Sequence, residues 1–125
     1  MINTNKPIYW YLDDELIPVP TNDARVWGDW SKRDWNENGR RVARTEVSKD
    51  CYVSTVFLGI DHQFGEGPPI LYETLVFGGP EDQLMFRYST REEAEEGHAN
   101  TVLDLKYDYY TRWWEVVWLW LKRSW

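Results

Sequence analysis

The run VSTVFLGIDHQFGEGPPILYETLVFGG, from Val53 to Gly79, constrains the fold more than any other part of this chain. Two segments rich in β-branched and aromatic residues flank a stretch of Gly, Pro and polar side chains, which is the pattern of two strands joined by a loop too long for a tight hairpin. Side chains alternate along a strand. Val53, Thr55, Phe57, Gly59 and Asp61 therefore share one face, while Tyr52, Ser54, Val56, Leu58 and Ile60 share the other, which is expected to be the core face. In the following strand Ile70, Tyr72, Thr74 and Val76 oppose Leu71, Glu73, Leu75 and Phe77. Glu73 interrupts an apolar set, and a buried carboxylate needs a partner, so Arg41, Arg44 or Arg87 is its expected counter-ion.

Elsewhere, Ile8–Leu12 and Glu15–Val19 read as a hairpin about Asp13-Asp14, closed by Pro18 and Pro20. Thr21 is placed to cap a helix running to about Asp34, which Asn36–Gly39 ends. Arg40–Ser48 and Tyr52–Asp61 are expected strands around a Lys49-Asp50 turn. Ile70–Phe77 and Leu84–Tyr88 are two more, separated by the turn Gly78–Asp82. Ser89 and Thr90 precede Glu92 and Glu93 at capping-box spacing, and the acidic run Glu92–Glu96 suits the positive end of a helix. Ala94, His98, Thr101, Val102 and Leu105 share a helical face that should pack on the sheet. The expected fold is α+β: a mostly antiparallel sheet of four or more strands, with an N-terminal hairpin and helix and a C-terminal helix packed on one face.

The last segment differs in kind. Tyr110, Trp113, Trp114, Val117, Trp118, Leu121 and Trp125 form one broad stripe, yet residues 116–121 are apolar on every side. A helix hydrophobic all round must be covered on more than one side. Residues 1–106 are therefore expected to form a single α+β domain, and 107–125 a Trp-rich helical extension for association. The candidate homo-oligomer interface is Trp113, Trp114, Val117, Trp118, Trp120, Leu121 and Trp125. The sequence leaves open whether this helix continues the preceding one or bends near Tyr107–Tyr110.

A net charge of −7 and a pI near 4.8 argue against general nucleic-acid binding, which needs clustered cations. Arg40, Arg41 and Arg44 are a local exception, read either as a solvated strand edge or as a contact for phosphate or carboxylate. The single Cys51 allows no internal disulfide and suits a reducing cytoplasm. Neither a signal peptide nor a membrane-spanning run is expected.

The candidate ligand- or partner-binding residues are Arg41, Arg44, Thr55, Asp61, His62, Phe64 and Glu73. The loop Asp61–Pro69 is longer than a hairpin turn, and such loops often carry function. Asp61 beside His62 invites an acid–base reading, but neighbours on a strand point to opposite faces. The sequence GEG lacks the Lys-Ser/Thr of a phosphate loop, and His62 and His98 show no metal-ligand spacing. No cofactor, metal or catalytic residue is assigned.

The segments RRVARTEV, VSTVFLGIDHQFGEGPPILYETLVFGG and RYSTREEAEEGHA together resemble a family of small uncharacterised proteins of bacteriophages and prophage-bearing bacteria, over about residues 8–105. The chain departs from that pattern after Leu105. The resemblance implies a phage origin and a cytoplasmic setting in an infected bacterium, and it carries no catalytic residue. The expected function is an accessory protein that binds a host component without catalysis, with counter-defence as one such role. Alternatives are an oligomer that sequesters a small anionic, nucleotide-like ligand, or a small hydrolase using Asp61, His62 and Glu73.

Overall fold

Two short turns and one long loop, all rich in turn-forming residues, lay four strands side by side in chain order. The computed structural model describes residues 6–123, the side chains of 109–113 excepted. A hairpin of β1 (Tyr9–Leu12) and β2 (Pro18–Thr21) leads to α1 (Ala24–Ser31); then come β3 (Arg41–Ser48), β4 (Cys51–Phe57), β5 (Tyr72–Phe77), β6 (Met85–Tyr88) and α2 (Arg91–Arg123). The sheet has the order β3-β4-β5-β6 and is antiparallel throughout. This is the α+β architecture expected from the sequence.

The β5–β6 reversal depends on glycine. Gly78 has φ +81°, and a Cβ there would overlap the carbonyl oxygen of Asp50, so only glycine satisfies both conformation and space. Asp82 then ties the turn by accepting from the Gly78 N–H at 2.7 Å.

Register decides which face is covered. Val53↔Val76, Thr55↔Thr74 and Phe57↔Tyr72 are directly opposed, and all six side chains are fully buried under α2 and the N-terminal elements. Tyr52, Ser54 and Val56, with their partners Phe77, Leu75 and Glu73, occupy the other face and are only half-buried. The core face of β4 is thus the opposite of the expected one. Both faces of that strand are apolar enough to be core, and the decision falls to what α2 presents.

On α2, Ala94, His98, Thr101, Val102 and Leu105 are all buried, as their helical spacing required. Val102 and Leu105 pack with Cys51, Val53 and Val76 at one end of the sheet. Ala94 joins Leu12, Trp30, Phe57, Leu71 and Tyr72 at the other, each large ring there contributing on the order of 2–3 kcal/mol by burial. Thr90 starts the helix. Its hydroxyl accepts from the Glu93 N–H at 3.1 Å while Glu93 Oε1 accepts from the Thr90 N–H at 3.1 Å, a complete capping box. Thr90→Ala is expected to lower stability by about 1 kcal/mol, measurable as a shift in urea midpoint without a change in slope.

The N-terminal elements differ from expectation in detail. Pro18 and Pro20 lie inside β2, opposite Leu12 and Trp10, where an edge strand tolerates residues without an N–H. The turn is longer than Asp13-Asp14 because Asp13 Oδ1 accepts from both Glu15 and Ile17 N–H at 2.9 Å. Asp23, rather than Thr21, caps α1, and the helix ends at Ser31 instead of Asp34. The Trp27 indole N–H donates to Gly59 O at 2.8 Å and is 3.1 Å from Trp10 O, fastening α1 to both the hairpin and the end of β4.

Candidate functional site

The sequence brings its candidate residues to three separate places. The first is the loop after β4. Asp61 is 5% exposed, and its Oδ1 accepts from the N–H groups of Gln63 at 2.7 Å and Ile70 at 2.9 Å, so one carboxylate oxygen closes the loop at both ends. Lys6 Nζ stands 3.1 Å from Oδ2 in an ion pair and donates to Gln63 O at 2.9 Å. Lys6 is a structural part of this loop that nothing in the local sequence signals, because it lies 57 residues from Gln63 in the chain. His62 turns away: its Nδ1 donates to Ile60 O at 2.9 Å. The hydrogen bonds and ion pair of Asp61 go to the loop backbone and Lys6, and those of His62 to its own backbone. Phe64 is 74% exposed at the tip.

The second place is the uncovered face of the sheet. Glu73 is held by Arg87, with Nε to Oε2 at 3.0 Å, one of the three counter-ions foreseen. Arg41 is opposite Val56 and Arg44 opposite Ser54, so both arginines lie on this same face and are exposed. The Arg44 guanidinium sits 4.3 Å from the centroid of the Tyr52 ring, and Tyr52 stacks on Phe77 at 4.8 Å and 12°. A cation and two rings thus form a ladder across β3, β4 and β5. Tyr52 and Phe77 were absent from the expected site. The β4–β5 register that opposes them could be counted inward from the loop, but the choice of face could not.

Arg40, grouped with Arg41 and Arg44 by sequence, parts from them. Its side chain donates to Phe57 O at 3.2 Å and Leu58 O at 2.8 Å and lies over the rings of Trp30 and Trp35. Burial lowers its pKa from the usual arginine value. It is a structural cation bridging α1 and β4.

The third place is interior. Thr55 faces α2, where its hydroxyl lies 2.8 Å from His98 Nδ1 and 2.6 Å from the Thr74 hydroxyl, while His98 Nε2 is 2.8 Å from the Thr45 hydroxyl. A neutral imidazole satisfies this chain in either tautomer, donating at one nitrogen and accepting at the other. Burial pushes the His98 pKa below its ordinary value. The chain closes on itself under the helix, which makes Thr55 an internal contact and not a surface one. Burial, with Asp82 nearby, also raises the Cys51 thiol pKa, which opposes nucleophilic chemistry there.

A cleft of about 360 Å³ between the hairpin and α1 is lined by Asp13, Asp14 and Asp29 with Arg33. It holds none of the candidate residues, and its acidic lining opposes an anion. Among the described residues no group of three His, Cys, Asp or Glu side chains could hold a metal ion, and no helix is long and apolar enough to cross a membrane.

α2 is continuous from Arg91 to Arg123, so the chain does not break at Tyr107–Tyr110. Past Leu105 the described side chains, Val117 excepted, are exposed; Trp114, Trp118 and Trp120 are 63%, 61% and 66% exposed, and Leu121 40%. Trp125 and the Trp113 side chain lie outside the described residues. Compared with known proteins, the chain matches no family model, no curated protein and no solved structure.

Proposed function

We propose that this is a phage-type accessory protein that binds a host component without catalysis, using the open sheet face as its contact surface and self-associating through the exposed half of α2. The observation that carries this reading is the Arg44–Tyr52–Phe77 ladder, flanked on the same face by Leu75 and Met85. Aromatic and arginine side chains are the residue types that anchor protein interfaces. The polar groups with catalytic potential point the same way, since Asp61, Glu73 and His98 are each committed to a structural partner. The phage setting rests on the resemblance over residues 8–105.

Native mass spectrometry of protein purified from a bacterial host, followed by a denaturing run, tests the class of ligand. The expected result is the mass of the chain and its oligomer with no small molecule released. Release of a nucleotide-sized mass would reassign the protein to sequestration of a small anion.

A further inference from the structure

We propose that the exposed half of α2 packs with the same segment of three other copies as an antiparallel four-helix bundle. This rests on the self-association reading above and adds its number and direction.

The width of the apolar face sets the number. At 100° per residue, Val116, Trp120, Val117, Leu121, Trp114 and Trp118 span an arc of roughly 200°. Asp104, Asp108, Glu115 and Lys122 fall in a narrow stripe on the opposite side, broken only by Leu119. One neighbouring helix covers about half of such an arc, so each helix needs two neighbours. The surface available is sufficient: three indoles more than 60% exposed, together with the aliphatic side chains, offer on the order of 700 Å² per copy, close to one side of a stable interface.

Charge sets the direction. The segment begins beside Asp104 and Asp108 and ends in Lys122 and Arg123. Leu105 packs against Cys51, which places the start of the segment near the turns that carry Asp50 and Asp82. Parallel neighbours would gather the Lys122-Arg123 ends together. Antiparallel neighbours, overlapping along the roughly 27 Å of residues 106–123, bring each basic end to the acidic shoulder of the next copy and place the globular domains at opposite ends. Lys106, inside the arc at its domain-proximal end, lays its stem along the neighbour with its ammonium in water. A closed ring in which every helix runs against both neighbours needs an even number of members, and four is the smallest, giving two-fold symmetry about three axes.

Light scattering on the full chain over a wide concentration range is expected to give the mass of four chains. Trp118→Glu, at an exposed position, is expected to reduce that mass while leaving the thermal unfolding of the domain unchanged. For direction, Tyr107→Cys and Leu121→Cys chains, both substitutions lying on the apolar arc at matching heights in the antiparallel overlap, are expected to form the mixed disulfide when co-expressed under oxidising conditions, with little self-linked Leu121→Cys. A dimer or trimer, or Leu121→Cys chains that link readily to each other, would overturn the antiparallel four-helix bundle while leaving self-association standing. A chain that stays monomeric at every concentration would overturn both, and a monomer that floats with lipid vesicles would reassign the face to a membrane surface.

Discussion

His98→Ala is expected to lower the free energy of unfolding by about 3 kcal/mol, because it opens a cavity at the helix–sheet junction and strips the buried Thr55 and half-buried Thr45 hydroxyls of their partner. The effect has a pH signature. With the folded pKa below the unfolded value near 6.5, the unfolded chain binds the extra proton first. Stability from the neutral ring is then complete above pH 6.5 and declines as pH falls toward the folded pKa, by up to about 1.4 kcal/mol per pH unit. Below the folded pKa this loss levels off. Urea titrations at several pH values check this: the wild type should weaken on acidification below 6.5 more steeply than His98→Ala. Equal slopes would mean that the ring is solvated and its threonine contacts are not made.

Asp61→Ala is expected to cost about 3 kcal/mol. The substitution leaves the Gln63 and Ile70 N–H groups without their acceptor and Lys6 without its counter-ion at a site 5% exposed. Asp61→Asn keeps an acceptor for both N–H groups and should lose roughly 1 kcal/mol, mostly the Lys6 pairing. Hydrogen exchange at Gln63 and Ile70 distinguishes the cases, rising sharply in the Ala variant and slightly in the Asn variant. If Asp61 were instead a catalytic acid held for substrate, its removal would leave loop exchange and stability nearly unchanged.

These two residues also show how far the sequence could be read. Local chemistry was legible: the Thr90–Glu93 capping box, the helical face from Ala94 to Leu105 and the β4–loop–β5 succession all follow from local spacing, whereas the need for a Glu73 counter-ion was legible but not the choice of Arg87 over Arg41 and Arg44. The covered face of β4 was not legible. Tyr52, Val56 and Leu58 look more like core than Val53, Thr55 and Phe57 do, until threonines of β3 and β4 are seen to meet one histidine on α2, with Thr74 of β5 joined through Thr55. A polar layer assembled from four elements leaves no trace in the periodicity of any one of them. Lys6 escaped for the same reason, and so did the open face, since Tyr52 and Phe77 become neighbours only through strand register. Prolines misled the reading of β2, because an edge strand in a two-stranded ribbon accepts residues that an interior strand would reject.

The uncovered face of the sheet is the centre of the functional reading, and Leu75 sits in its middle, half-buried and opposite Ser54 and Met85. Affinity capture from one bacterial host lysate with wild-type bait and with Leu75→Glu bait, matched for thermal stability, tests it most directly. The wild type should retain a host protein in stoichiometric amount that the Leu75→Glu bait loses. Recovery of the same proteins in the same amounts on both baits would contradict binding through this face.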